Sequence, residues 1–149
     1  MRLLFLVLLL ICQNVWAAPF SCTPIKMVVQ NKILLLSNDN LATAKIYFVK
    51  NTSARSLWID HPVAHPSASA GWASYLRSGN WSAIVLDRKS FSISCVAIQP
   101  GKADALDCAE MLSVCVPQNM AVKSLRKGTY WLVEDQPWAA FWAALQKRI

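Results

Sequence analysis

From Phe91 to Val96 the chain alternates without a fault: Phe91, Ile93 and Cys95 fall on one side of an extended backbone, Ser92 and Ser94 on the other. A period of two with apolar residues on one side only is the pattern of a strand with one buried face, and a helix cannot use it. The preceding run, Trp81-Ser82-Ala83-Ile84-Val85-Leu86, is short and strand-like. Asp87-Arg88-Lys89-Ser90 separates the two runs in the form of a hairpin.

The same grammar recurs along the chain. Residues 26–29 and 33–36 flank a turn at Asn31, and residues 45–50 and 56–61 flank Asn51-Thr52-Ser53-Ala54-Arg55, again in the form of a hairpin. Residues 112–116 and 129–134 read as closing strands, and residues 104–111 as the place for a helical turn. The chain has four glycines, and each falls where a turn is needed: Gly71, Gly79, Gly101 and Gly128. Only the C-terminus changes period. Trp138, Phe141, Trp142, Leu145 and Ile149 form one apolar stripe at helical spacing. Asp135 or Gln136 would cap that helix, Pro137 suits its first turn, and Lys147 and Arg148 favour its end. The expected fold is mainly β: a small antiparallel β-sandwich or barrel of about seven strands, with one C-terminal amphipathic helix.

The first residues belong to a different class of segment. Met1-Arg2 is followed by an unbroken apolar run from Leu3 to Ile11, then by Val15-Trp16-Ala17-Ala18. One positive charge, a short apolar core and small residues at a cleavage site make a secretory signal peptide over residues 1–17. The apolar run falls short of the roughly 20 residues that a spanning helix needs. No later stretch reaches that length, so no transmembrane span is expected in the mature chain. Residues 18–149 are long enough to bury a core of their own as a single domain.

An exported location fits the cysteines. Cys12 lies in the leader, which leaves Cys22, Cys95, Cys108 and Cys115, an even set that reads as two disulfides. Three pairings are open to them. Joining Cys95 to Cys108 would close the loop at Pro100-Gly101 and leave Cys22 for Cys115. Their spacing is not that of the tight cysteine pairs of zinc sites. Without Arg2, 14 basic residues stand against 8 acidic, a net charge of +6. That charge is scattered over different elements, as on an ordinary solvated surface, and would also aid contact with anionic glycans, lipid headgroups or an acidic protein; no nucleic acid is expected.

Chemistry-bearing residues are few. His61 and His65 are the only histidines, and Asp60 stands beside the first. Pro62 and Pro66 exclude the regular helix that would bring the two rings together, so neither a metal nor a cofactor is expected. No serine or cysteine can be tied to these histidines as a nucleophile, so the chain is not read as an enzyme. Trp72 follows a polar stretch, and with His61 and His65 it marks residues 60–72 as the candidate interaction loop. Asn51-Thr52-Ser53 and Asn80-Trp81-Ser82 are formal glycosylation acceptors.

Several stretches taken together resemble the EnhB-like enhanced entry family, exported proteins of intracellular bacterial pathogens. They are Lys50-Asn51-Thr52 with Ser56-Leu57-Trp58-Ile59-Asp60-His61-Pro62, and Ser69-Ala70-Gly71-Trp72-Ala73-Ser74 with Gly79-Asn80-Trp81-Ser82-Ala83. Ser94-Cys95, Pro100-Gly101, Cys108, Val114-Cys115 and Gly128-Thr129-Tyr130-Trp131 complete the set. The resemblance spans most of the mature chain. It implies a periplasmic or secreted bacterial protein associated with host-cell entry, and it brings no catalytic residues. The missing catalytic set and the disulfide-stapled scaffold with aromatic and basic loops give the expectation of a module that binds an envelope or host protein or a cell-wall component. A small periplasmic metal-dependent enzyme and an inhibitor of a cell-wall hydrolase are the alternative expectations. N-terminal sequencing of the exported protein is expected to begin at Ala18; an intact Met1 would refute the leader.

Overall fold

The computed structural model describes residues 21–62, 72–99, 102–122 and 127–149. Among them lie eleven strands and two helices: β1 (Cys22–Pro24), β2 (Val28–Gln30), β3 (Ile33–Ser37), β4 (Lys45–Asn51), β5 (Leu57–Asp60), β6 (Ala73–Leu76), β7 (Trp81–Leu86), β8 (Ser90–Gln99), β9 (Lys102–Leu106), α1 (Cys108–Met111), β10 (Leu112–Pro117), β11 (Tyr130–Gln136) and α2 (Trp138–Gln146). The strands form two antiparallel sheets. One runs β1-β10-β4-β7-β11; the other runs β2-β3-β8-β5-β6, with β9 paired to β8. The expected sandwich is therefore present and is not closed into a barrel. Strands β1, β6 and β9 lie where the sequence pattern showed none. The first two are very short, and Lys102-Ala103-Asp104-Ala105-Leu106 lacks the β-branched and aromatic residues that mark strands.

The first sheet is covered on both faces. Tyr47, Val49, Ile84 and Leu86 point into the space between the sheets, where they meet Leu34, Leu36, Leu57, Ile59, Leu76, Phe91 and Ile93. Ile46, Phe48, Ala83 and Val85 point the other way, under α2. This double burial explains why β4 and β7 read as near-continuous apolar runs rather than as alternations. β8 has one buried face, and its alternation survives in the structure.

Both hairpins expected from the sequence are absent. β4 and β5 lie in different sheets, as do β7 and β8; β4 pairs with β7, and β5 with β6 and β8. Each link is an arch from sheet to sheet. The reason is complementarity across the core: Leu57 and Ile59 bury against Tyr47 and Val49 from the opposite sheet.

Backbone groups in an arch have no ladder partner, and buried asparagines take that role. Asn51, fully buried, donates its amide to the carbonyls of Arg55 at 2.7 Å and Leu76 at 2.9 Å. Its Oδ1 accepts from the N–H and the hydroxyl of Ser53. Asn38, in the link from β3 to β4, donates to the carbonyls of Thr43 and Leu86. The turn between β2 and β3 does sit at Asn31, with Asn31 and Lys32 both in left-handed backbone, as a two-residue hairpin turn needs.

Two disulfides fasten the frame. Cys22–Cys115 joins β1 to β10 at the edge of the first sheet, and Cys95–Cys108 joins β8 to α1. Of the three possible pairings, the one that closes the loop at Pro100-Gly101 is present.

At the opposite side of the sandwich the sheets are clasped by Asp135 of β11. Its carboxylate accepts from the Arg77 N–H at 2.8 Å, the Arg77 guanidinium at 2.7 Å and the Asn80 amide at 2.8 Å. Asp135 adopts φ +40°, within a register shift of β11 against β7. It therefore does not cap α2, and neither does Gln136. The N-cap is Pro137, which offers no side-chain bond. The clasp also accounts for Asn80 of the second formal glycosylation tripeptide, and the arch for Asn51 of the first.

In α2, Phe141 and Leu145 are completely buried, and Phe141 meets Phe48 edge-on at 5.0 Å. Trp142 is half-buried and Trp138 is 37% exposed, so the expected apolar stripe buries unequally. Phe141→Ala should cost about 3–5 kcal/mol and Trp142→Ala clearly less, measured by urea unfolding. Equal losses would contradict this placement of the helix.

The clasp gives a pH-dependent expectation. Partial burial works to raise the pKa of Asp135, but the Arg77 N–H, the Asn80 amide and the Arg77 guanidinium together hold it below its ordinary value. A carboxylate with a lowered folded pKa stabilises above its unfolded value, about 3.9, and loses that contribution as pH falls through the folded value. The urea midpoint of wild type should exceed that of Asp135→Asn at pH 7, and the gap should close below about pH 4. A gap unchanged down to the lowest pH would show that the charge of Asp135 contributes nothing.

Candidate functional site

Four aromatic rings form a chain at one end of the sandwich. His61 follows β5 directly and stacks on Phe91 of β8, with centroids 4.3 Å apart and planes at 16°. Trp72, just before β6, meets Phe91 edge-on at 4.6 Å. Trp72 in turn stacks on Trp131 of β11, 4.3 Å away at 19°. The strand pairing produces this grouping, because antiparallel order brings the end of β5 beside the starts of β6 and β8. The backbone N–H of His61 donates to the Trp72 carbonyl at 3.2 Å, which ties together the two ends of the loop between them.

Charge and polarity surround the rings. The Arg88 guanidinium lies 5.8 Å from the Phe91 centroid, a cation–π distance. Gly128, at φ +96°, donates its N–H to Asp87 at 3.0 Å, and a side chain added there would meet Arg88. His61 Nδ1 is 2.6 Å from the Ser92 carbonyl. Only a protonated nitrogen can bond that oxygen, so the neutral ring keeps its lone pair on Nε2.

Three buried side-chain atoms among the described residues have no hydrogen-bond partner: Trp72 Nε1, Trp131 Nε1 and Thr129 Oγ1. All three belong to this one region, since Thr129 stands two residues before Trp131 on the way into β11. Such groups are few in folded proteins, and each costs about 1–3 kcal/mol. Their convergence is the most distinctive polar feature of the molecule.

His61 and Trp72, the two candidates within the described residues, are thus brought together through Phe91. His65 and most of the loop between them lie outside the described residues. Trp72 is partly buried and packs against the core between the sheets, so it presents an edge rather than a whole face. Phe91, Arg88, Thr129 and Trp131 escaped the sequence reading as site residues. Phe91 reads simply as a core residue of an alternating strand, and only Gly128-Thr129-Tyr130-Trp131 stood out as a motif.

His61 bonds a backbone carbonyl, not a hydroxyl. The Ser94 hydroxyl donates to the Asp60 carboxylate, and the four described cysteines are oxidised. A groove of about 300 Å³ lies between β11 and α2, lined by Trp131, Leu132, Val133, Glu134, Gln136, Ala144 and Arg148. Trp131 belongs to this groove and to the stack. Comparisons with protein-family models, curated proteins and solved structures return no match for this chain.

Proposed function

We propose that the protein is an exported, non-enzymatic binding module of a bacterial envelope. In this reading it captures a partner protein at the end of the sandwich marked by His61, Phe91, Trp72 and Trp131. Two disulfides, and no described helix long and apolar enough to cross a membrane, are consistent with an extracytoplasmic protein. A role in host-cell entry rests on the sequence resemblance alone. The observation that carries the binding reading is the run of four stacked rings that ends on half-buried His61 and lies beside the exposed Arg88. A partner that presents carboxylate or carbonyl oxygens there would bond the Arg88 guanidinium and pack on the edge of the rings.

The test separates binding from folding. Arg88→Ala removes an exposed guanidinium and should leave the melting temperature nearly unchanged. His61→Ala removes a ring at the end of the stack. Immobilised mature protein should retain an envelope partner that the double variant retains at least tenfold less, a loss of about 1.4 kcal/mol per tenfold. Normal capture by the folded double variant would reject this site, and a clearly lowered melting temperature for Arg88→Ala would show the guanidinium to be structural.

A further inference from the structure

The two disulfides sit in different surroundings. Cys95 and Cys108 are 1% and 0% exposed and belong to the core between the sheets. Cys22 and Cys115 are only partly buried and lie at the margin of the cluster beneath α2. Thiol–disulfide exchange needs an incoming thiolate to reach a sulfur, so its rate follows access. Of the two bridges, the one at the edge of the first sheet is therefore the one that a reductant meets in the folded protein.

Little besides that bridge holds β1 in place. The strand is three residues long, and its Thr23 and Pro24 are exposed. It pairs with β10 through Cys22 opposite Pro117, Thr23 opposite Val116 and Pro24 opposite Cys115. Pro24 and Pro117 donate no N–H to this ladder. Beside it, the Gln118 N–H donates to the Ser21 carbonyl at 2.9 Å, and the Gln118 amide donates to the Thr23 hydroxyl at 2.9 Å. No residue of β1 belongs to the buried core, whereas β10 buries Leu112 and Val114 and keeps β4 along its other side. Ile25 and Met27, just beyond β1, pack against the core and anchor the chain that follows. Without β1 the order β10-β4-β7-β11 and every fully buried side chain would remain.

We propose that Cys22–Cys115 is a reducible latch: exchange with a dithiol opens it in the folded protein, frees β1 and turns β10 into an open sheet edge. A thiolate of the dithiol attacks one sulfur of the bridge, forms a mixed disulfide and expels the other cysteine as a thiolate. The dithiol's second thiolate then attacks its own partner sulfur in the mixed disulfide, which closes the oxidised dithiol and releases the second cysteine. Two electrons pass from the dithiol to the bridge, and the dithiol's two protons end on Cys22 and Cys115. With β1 released, the Gln118 N–H loses the Ser21 carbonyl, and β10 presents backbone groups that a further strand can pair with. Cys95–Cys108 stays closed and keeps β8 joined to α1. The latch spans 93 residues of sequence against 13 for the buried bridge, so opening it also removes the longer-range constraint on the unfolded chain.

The test is treatment of the folded mature protein with dithiothreitol, without denaturant, followed by alkylation, peptide mapping by mass spectrometry and hydrogen exchange. Cys22 and Cys115 should become alkylated together, about tenfold faster or more than Cys95 and Cys108, because the buried pair must wait for a larger opening. Protein reduced at the first pair alone should keep its far-ultraviolet spectrum and melt cooperatively at a lowered temperature. It should lose exchange protection at the Gln118 amide and in residues 22–24, while β4 and β7 keep theirs. Reduction of both pairs at one rate, or of Cys95–Cys108 first, would overturn the proposal. So would a Cys22–Cys115 bridge that resists dithiothreitol until the whole domain unfolds. Full protection of Gln118 after reduction would show β1 docked without its disulfide, and would overturn the opening of the edge.

Discussion

The pairing of β4 with β7 is the contact on which the other elements rest. Six residue pairs run in register from Lys45 opposite Leu86 to Lys50 opposite Trp81. The residues between those ends are buried on both faces. Fully burying a large apolar side chain contributes about 1.5–3 kcal/mol, and this pair buries such side chains in two directions at once. One direction, through Tyr47, Val49, Ile84 and Leu86, requires a second sheet. The other, through Ile46, Phe48 and Val85, requires a helix. The three-layer order of sheet, sheet and helix is the smallest arrangement that satisfies both sets.

That demand also explains which parts of the fold were legible in the sequence. The C-terminal helix was visible because its apolar residues recur every three or four positions, and β8 because its apolar residues recur every two. β4 and β7 were legible as strands but not as partners. An apolar residue on each face tells a reader that both sides are covered and says nothing about which strand lies alongside. The two false hairpins follow from this. A polar link of a few residues serves equally well as a turn within a sheet or as an arch between sheets. The difference lies in side chains such as Asn51, whose role as a donor to Arg55 and Leu76 depends on a strand contributed 25 residues later.

The candidate site was half legible for a related reason. His61 and Trp72 stood out because prolines and polar residues around them leave them unexplained by periodicity. Phe91 and Trp131 did not, since a strand aromatic is ordinarily core. Only the sheet order shows that these two rings lie between the loop residues and the core, and that Thr129 brings an unpartnered hydroxyl to the same place. Asp135 was misread in the opposite direction. Its position before Pro137 suits a helix cap, but the left-handed backbone of β11 turns it toward Arg77 and Asn80, where one carboxylate satisfies three donors.

Unpaired buried donors are a cost that a marginally stable domain carries only if something else supplies the margin. Here the frame supplies it near the site. Cys95, bonded to Cys108, lies on the same buried face of β8 as Phe91, four residues away. The Asp135 clasp holds β11, which carries Trp131, against the start of β7 and the end of β6. A binding surface held in this way loses little conformational freedom when a partner arrives, so more of the contact energy remains as affinity. The same frame fixes β5 against β6 and β8.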